Sequence, residues 1–412
     1  MPTTRHTACR YCRSQRLTQI VSLGPQPPAN NFLRAEEIPS EPRYPLDVSV
    51  CEECCLVQLV DVVPAEALFD HYLYRSSSSR ALVQHYAALA ASLSRRFRLR
   101  AGDVVVDVGC NDGALLRECT LPGLVRVGVE PSDAAEAAAA DGLRVLRAFF
   151  APAITQRIVD DVGPARLVTA TNVFAHVDAI DPFVEGIRLL LAEDGALMIE
   201  ASYLLDVIDQ TLFDTIYHEH LCYLSLTPLV PFLARHGLEV FDVERVPFGA
   251  SGPAIRVFAQ RQGGGEPVRP SVTDLLAAET RWGIRSVSRY RDYADRVAQV
   301  KAGVLELMEP LRASGKRLGG YGAPAKGNTL LNYFGLTAAS LECIADTNPL
   351  KQGLVTPGSH IPIVSEEAFL ERMPDYALLL SWNYLDFFLQ HSAYIRKGGR
   401  FIVPLPTPRI CP

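Results

Sequence analysis

The chain has 412 residues, enough for two or three domains, with 48% apolar and 21% charged side chains, an ordinary balance for a soluble globular protein. Its net charge of -6 argues against a nucleic-acid surface, which is normally basic. No apolar run approaches the length of a membrane span, and the start, MPTTRHTACRYC, has basic residues without the apolar stretch of a secretion signal. A cytoplasmic location is therefore expected, where ten cysteines point to metal or thiol chemistry rather than disulfides.

Residues 1–79 are rich in Cys and Pro and show little helical periodicity. They hold two CxxC pairs, Cys9-Arg10-Tyr11-Cys12 and Cys51-Glu52-Glu53-Cys54. Four thiolates at this spacing make the tetrahedral set that closes a structural zinc site; free thiols or a redox pair are the alternative. Four protein ligands leave no open position for chemistry on the metal. The loop between the pairs is longer than in a common zinc ribbon and predicts structure of its own, while Cys55 is out of spacing and expected to pack. The region ends in Tyr72-Leu73-Tyr74-Arg75-Ser76-Ser77-Ser78-Ser79. The hydroxyls of Tyr72, Tyr74 and Ser77 could meet a polyhydroxylated ligand, or the stretch could be a plain linker.

Residues 80–262 alternate apolar strands with helix-like stretches. Strands are predicted at 104–108, 125–129, 167–170 and 196–200, the βαβ pattern of a doubly wound sheet. Alternating runs at 238–246 and 254–260, separated by a Pro/Gly-rich turn, predict an antiparallel pair that suits a methyltransferase sheet better than a dinucleotide oxidoreductase. The first strand runs into Asp107-Val108-Gly109-Cys110-Asn111-Asp112-Gly113, a turn that lets backbone approach a ligand closely. It lacks a full GxGxxG. Glu130 ends the next strand, where a carboxylate can accept from both ribose hydroxyls, and Asn111 and Asp112 are expected to meet the amino-acid or ribose portion of a ligand. Asn172 lies just past the third strand, at the carboxyl edge where open sheets bind ligands, and His176 could reach the same pocket. Together these favour S-adenosylmethionine (SAM) over a dinucleotide.

The segment Phe213-Asp214-Thr215-Ile216-Tyr217-His218-Glu219-His220-Leu221-Cys222-Tyr223 concentrates titratable groups. If it is extended, His218 and His220 share a face with Asp214 and Cys222, opposite Tyr217, Glu219 and Tyr223. If it is helical, the two histidines point to nearly opposite sides. It is not HExxH, so a zinc hydrolase fits poorly. Proton abstraction beside a carbonyl fits better, since histidine titrates near neutrality.

A linker, Gln262-Gly263-Gly264-Gly265-Glu266-Pro267, opens the third region, residues 263–412. A long helix is predicted over about Thr273 to Ala313, followed by short strands at 317–321, 341–345, 376–380 and 401–405, a second α/β domain. Tyr321-Gly322-Ala323-Pro324-Ala325-Lys326-Gly327-Asn328 follows a strand and opens a helix, whose free N–H groups with Lys326 suit a diphosphate. A plain turn with a solvated lysine is the alternative. No internal repeat is visible.

In this order, CRYC and CEEC, YLYRSSSS, VVDVGCNDG, GVEPS, NVFAHV, FDTIYHEHLCY, GYGAPAKGN and ADTNPLKQG, spread over essentially the whole chain, resemble the nucleotide-sugar C-methyltransferases of antibiotic deoxysugar pathways. The resemblance implies an α/β architecture of three parts: a zinc-binding module that helps bind substrate, a class I SAM methyltransferase (Rossmann-like) core, and a second Rossmann-like domain contacting the nucleotide. It implies His220 as the base, with Tyr217, Glu219, Asn172 and His176 lining the site, and Tyr72 or Tyr74 on the sugar. Asp107, Gly109, Asn111, Asp112, Gly113, Glu130 and Asn172 would hold SAM; Ser77, Arg256, Lys326 and Asn328 would contact the acceptor. Relatives carry a His-Gly-Gly-Ser-x-Arg run where this chain has Ser251-Gly252-Pro253-Ala254-Ile255-Arg256, which keeps only the arginine. The expected acceptor is a thymidine-diphosphate-linked 4-keto-deoxysugar, methylated at C3 rather than C5 by attack of a His220-generated enolate on the methyl group. Glu219 would orient or tune His220, and Tyr217 or His176 would steady the enolate oxygen. A methyltransferase for a nonsugar acceptor, a non-catalytic zinc scaffold and a nicotinamide oxidoreductase are the rival readings. A monomer or weak homo-oligomer with no nucleic-acid or membrane partner is expected.

Overall fold

The computed structural model describes residues 3–69, 72–249 and 252–411, so Ser251 of the departing motif lies outside the described residues. The N-terminal region contributes β1 (Thr4–Arg5), β2 (Leu17–Gln26), β3 (Tyr44–Cys51), β4 (Val57–Leu59) and β5 (Asp61–Val62). Strands β2, β3 and β4 pair antiparallel, so the long stretch between the CxxC pairs does carry its own structure. A short β1–β5 ladder sits beside them.

The core follows with β6 (Val104–Val108), β7 (Val125–Val129), β8 (Arg144–Leu146), β9 (Ala165–Thr171) and β10 (Leu191–Ser202). After β11 (Cys222–Tyr223) come β12 (Leu238–Gly249) and β13 (Gly252–Arg261). Seven of these form one sheet in the order β12-β13-β10-β9-β6-β7-β8. From β8 to β10 all neighbours are parallel, while β13 runs antiparallel to both β10 and β12. Every residue of β6 is buried, as its unbroken Val104-Val105-Val106-Asp107-Val108 run requires of a strand covered on both faces. The chain order reverses between β6 and β9, and a crevice opens there beyond the strands' carboxyl ends.

Strand β11 does not join this sheet. It pairs antiparallel with β4, Cys222 opposite Gln58 and Tyr223 opposite Val57, and so completes a four-stranded sheet in the order β11-β4-β3-β2. The histidine-bearing segment thus ends as an edge strand of the cysteine-rich module. The segment is neither extended nor helical: Phe213–Thr215 make one 3-10 turn, and the His220 N–H closes a second turn on the Tyr217 carbonyl at 2.9 Å.

The expected long helix is two, Pro270–Trp282 and Val287–Ala313. Gly283 breaks it, taking the left-handed conformation (φ 90°) with its N–H turned back to the Glu279 and Thr280 carbonyls. The third region adds β14 (Leu318–Tyr321), β15 (Ile344–Ala345), β16 (Ile363–Val364), β17 (Tyr376–Leu379), β18 (Arg400–Val403) and β19 (Arg409–Cys411). They form a six-stranded sheet, β16-β15-β14-β17-β18-β19, parallel except for the last pair. The cysteine-rich module also grips this region: Asn328 Nδ2 donates to the Ala29 carbonyl at 2.7 Å, and Glu41 accepts from the Gly358 N–H at 2.7 Å. Among the described residues no helix is long and apolar enough to cross a membrane.

Candidate active site

The four cysteines of the CxxC pairs converge, their Sγ atoms all within 4.8 Å of one another. Cys9 lies 3.5 Å from Cys54, and Cys12 lies 3.4 Å from Cys51. Tetrahedral zinc with Zn–S bonds of about 2.3 Å needs thiolates roughly 3.8 Å apart, so the set fits the ion after a small expansion. The Cys54 thiol hydrogen-bonded to Cys9 already draws Cys9 toward the thiolate form that zinc requires. Cys55 is buried outside the cluster, as expected. The chain carries a zinc-binding module, with Cys9, Cys12, Cys51 and Cys54 as its ligand set.

A cavity of about 1060 Å³ lies where the three regions meet. That exceeds the roughly 300–1,000 Å³ of a typical single-ligand pocket, so it has room for two ligands. The core wall carries Asp107, Gly109, Asn111, Glu130, Asn172 and Tyr86. Gly109 is left-handed (φ 70°), and a Cβ there would come 2.7 Å from Val173 Cγ2. Glu130 accepts the Asn111 N–H at 2.9 Å and the Ser132 N–H at 3.0 Å. Burial pushes Asp107 up to about 7, although Thr169 donates to it at 2.6 Å. Asn172, also at positive φ (55°), leaves its Nδ2 buried without a partner. An unsatisfied donor and a cradle that a Cβ would fill are what a missing ligand leaves behind. These residues therefore fit SAM, which this fold binds.

Tyr217, His220, His176, Tyr72 and Tyr74 line the middle of the cavity. The His220 ring stacks on His176 at 5.0 Å and lies 3.9 Å from Tyr217, centroid to centroid. His220 Nδ1 sits 2.6 Å from the Thr215 carbonyl, which can only accept. Nδ1 therefore holds the proton, and Nε2 carries a free lone pair. Burial lowers His220 to about 4, partly offset by that carbonyl, so the ring is neutral near pH 7.

The turn separates its groups differently from either conformation considered above. His218 faces away, toward the Tyr44 and Pro45 carbonyls at 3.3 and 3.2 Å. Glu219 makes no hydrogen bond to His220; it accepts from Asn30 Nδ2 at 2.8 Å and Tyr72 OH at 3.1 Å. Burial raises Glu219 to about 7. Orientation of His220 thus falls to Thr215 rather than Glu219.

The third region supplies the far wall: Lys326, Asp346, Lys351, Ser381, Asn383 and Tyr384. Lys326 Nζ donates to Asn383 Oδ1 at 2.6 Å and lies 4.6 Å over the Trp382 ring. It is 8% exposed, and burial lowers its pKa despite nearby Asp214. The solvated-lysine alternative does not hold.

Several expected contacts fall elsewhere. Asp112 and Ser77 are absent from the cavity wall because they bind each other, the Ser77 N–H and Oγ donating to Asp112 Oδ2 at 3.2 and 2.5 Å. Gly113 sits behind them as a left-handed helix cap. Arg256 is not on the wall either: it is drawn into a network with Glu200 (2.6 Å) and Glu244 (2.9 Å), registers on neighbouring strands. Asn328 is also off the wall: its Nδ2 donates to the Ala29 carbonyl, while its Oδ1 is buried without a partner. Conversely, Asn30, Tyr86, Asp178, Asp346, Lys351 and Asn383 line the cavity without having been singled out. Asn30 sits in a Pro-rich loop with no pattern to reveal it, whereas Asp346 and Lys351 bracket the ADTNPLK run.

Three family models tile the chain: a zinc binding domain at residues 9–69, a methyltransferase domain at 81–243 and a C-methyltransferase C-terminal domain at 249–406. The C-methyltransferase NovU of Streptomyces niveus is 39% identical over 405 residues, covering 98% of this chain and 96% of that protein. Among solved structures, a SAM-dependent methyltransferase from Clostridium acetobutylicum covers 44% of this chain and 92% of its own, at 12% identity and TM-score 0.34. Magnesium protoporphyrin IX methyltransferase from Synechocystis, with bound SAM, covers 44% and 79% at 13% identity and TM-score 0.33. With the zinc-ligand cysteines, the SAM-binding crevice and near full-length identity to NovU together, the chain belongs to the family of SAM-dependent C-methyltransferases.

Proposed function

We propose that the acceptor is a nucleotide-linked 4-keto-deoxysugar, most simply a thymidine diphosphate sugar, and that the methyl group goes to C3, beside the ketone. The observation that carries this reading is the division of charge along one cavity. Among the described residues its core end is lined by Asp107 and Glu130 and by no lysine or arginine, which suits a sulfonium and an ammonium group. Its far end carries both cavity lysines, Lys326 and Lys351, which suits a diphosphate. His220 stands between them. A keto sugar whose diphosphate lies among the lysines brings its acidic C–H to the middle of the cavity.

The free Nε2 lone pair of His220 takes the proton from the carbon beside the keto group, leaving an enolate. SAM held by the core residues would supply an activated methyl group to the enolate carbon, with S-adenosylhomocysteine as the leaving group. Tyr217 and His176, packed around His220, would donate to the enolate oxygen. The buried, neutral state of His220 keeps the base form available without competition from water. Glu219 is absent from the cavity wall; it sits behind Asn30 and Tyr72, which do line it, and holds both in place to meet sugar hydroxyls. The zinc ion organises the module and takes no part in the transfer. Turnover of a thymidine-diphosphate-linked 4-keto-6-deoxyhexose tests the acceptor: a product bearing the methyl at C3 is expected. His220→Asn should cut turnover by roughly 10²–10⁴-fold while leaving S-adenosylhomocysteine affinity unchanged; normal turnover would overturn the assignment of the base.

A further inference from the structure

The two Rossmann-like sheets repeat each other in hydrogen-bonding detail. Strands β8-β7-β6-β9-β10 of the core correspond in order and direction to β16-β15-β14-β17-β18 of the third region. A left-handed glycine follows the first strand of each, Gly109 (φ 70°) after β6 and Gly322 (φ 79°) after β14. The Gly109 N–H donates to the Val129 carbonyl at 2.8 Å, and the Gly322 N–H donates to the Ala345 carbonyl at 2.8 Å. A Cβ on Gly109 would strike Val173, just past β9, and one on Gly322 would strike Ser381, just past β17. The residue after the second strand is a carboxylate in both, Glu130 and Asp346, each with its N–H on the third strand at 3.1 Å.

The carboxylates are also held alike. Glu130 accepts the Asn111 N–H from the glycine turn at 2.9 Å and the N–H two residues on, Ser132, at 3.0 Å. Asp346 accepts the Ala323 N–H from its glycine turn at 2.7 Å and the N–H two residues on, Asn348, at 2.8 Å. Glu130 also accepts from Ser132 Oγ at 2.5 Å, so of a carboxylate's roughly four lone-pair sites it keeps about one, and Asp346 about two, for hydroxyl donors. Both face the same cavity, from opposite walls. What differs is the charge alongside: Asp346 has Lys326 and Lys351 on its wall, whereas among the described residues Glu130 has no lysine or arginine on its own.

We propose that Asp346 is a second ribose seat, the counterpart of Glu130, which accepts a hydroxyl hydrogen bond from the sugar ring of a nucleoside diphosphate whose phosphates lie beside Lys326 and Lys351. The inference rests on the nucleotide-linked acceptor proposed above and assigns the residue that holds its nucleoside. Asp346 lies at the carboxyl end of β15, where the topology puts a ligand's ribose, and Lys351 Nζ, donating to the Ala323 carbonyl at 2.8 Å, ties the basic loop to the glycine turn. The lysines exclude a second SAM in favour of an anion, because a sulfonium gains nothing beside two ammonium groups.

Calorimetric titration of the zinc-loaded full chain tests this with three probes: S-adenosylhomocysteine, thymidine diphosphate and 2′,3′-dideoxythymidine diphosphate. Asp346→Asn should weaken thymidine diphosphate about tenfold or more and leave S-adenosylhomocysteine within about twofold, and Glu130→Gln should do the reverse. Wild type should prefer thymidine diphosphate to its dideoxy analogue by a similar factor, and Asp346→Asn should not distinguish them. That ligand-side comparison needs no variant to fold. Equal affinity of wild type for the two diphosphates, or an Asp346→Asn variant that loses S-adenosylhomocysteine instead, overturns the ribose seat. A wild type that binds S-adenosylhomocysteine but neither diphosphate overturns the nucleotide-linked acceptor itself.

Discussion

Arg10 lies between two zinc-ligand cysteines and is fully buried, an unusual place for a guanidinium. Its Nε donates to Asp178 Oδ1 at 3.0 Å; Nη1 donates to Gln58 Oε1 at 3.3 Å and to the Leu59 carbonyl. Asp178 is the only charged acceptor among these, yet its side chain is 39% exposed to the cavity. The two partners should therefore respond unequally to removal. Asp178→Ala strands a permanent charge in the interior with neutral acceptors only, at a cost of about 3–5 kcal/mol. Arg10→Met instead leaves Asp178 to water and to His6, 3.0 Å away, and leaves chiefly the Leu59 carbonyl unpaired, costing about 1–3 kcal/mol. The double variant should resemble Arg10→Met, so that removing the arginine rescues the loss of its partner. Urea unfolding of the zinc-loaded proteins, followed by circular dichroism, gives the order of the midpoints. If Arg10→Met unfolds at lower urea than Asp178→Ala, or the double variant is the weakest of the three, the reasoning from unequal burial fails.

Other predictions are independent of this one. Gly109→Ala forces an L side chain into a left-handed position (about 1–2 kcal/mol) and drives its Cβ against Val173, so S-adenosylhomocysteine affinity should fall; Gly142→Ala, left-handed at φ 80° with nothing within 4 Å, should cost the strain alone and leave affinity intact by calorimetry. Stripping zinc with a chelator should abolish methyl transfer with S-adenosylhomocysteine binding largely retained, because the metal's sheet anchors the His220 turn through β11 but does not touch Glu130; parallel activity and binding assays separate the two. His218 is pushed down to about 4 by burial, against an ordinary 6.5. Its neutral form favours the fold above pH 6.5, and that contribution, roughly 3 kcal/mol, is lost as pH falls from 6.5 through 4. His218→Gln should accordingly flatten the pH dependence of the urea midpoint across that window.

What could be read in the sequence was what local pattern controls. Val104-Val105-Val106-Asp107-Val108 is buried on both faces and reads as a parallel strand for that reason. Paired CxxC spacing fixes thiolates on tight turns, and the four cysteines meet. Tertiary packing decided the rest. The stretch from Tyr217 to His220 has no period because its side chains serve different neighbours: His218 the module, Glu219 Asn30 and Tyr72, His220 the cavity. Arg256 carried no mark of Glu200 and Glu244, which approach it only across strand neighbours in β10 and β12. The repeat between the two sheets is invisible in residue identity, since what recurs is backbone hydrogen bonding: Glu130 and Asp346 are the conspicuous shared chemistry, and neither turn shares its other side chains.

The pairing of β11 with β4 also bears on how the chain is made. Synthesis delivers the other strands of the cysteine-rich module well before Cys222 and Tyr223, which fill the edge of its four-stranded sheet from 164 and 166 residues beyond their partners Gln58 and Val57. Until those residues emerge, the backbone groups of Val57 and Gln58 that face them have only water for partners, an exposed edge of the kind that invites mispairing. Metal can close over the four cysteines early, but the module reaches its final form only when the turn bearing His220 has been laid against it. Completion of the module's sheet and placement of that turn are, for this chain, the same event.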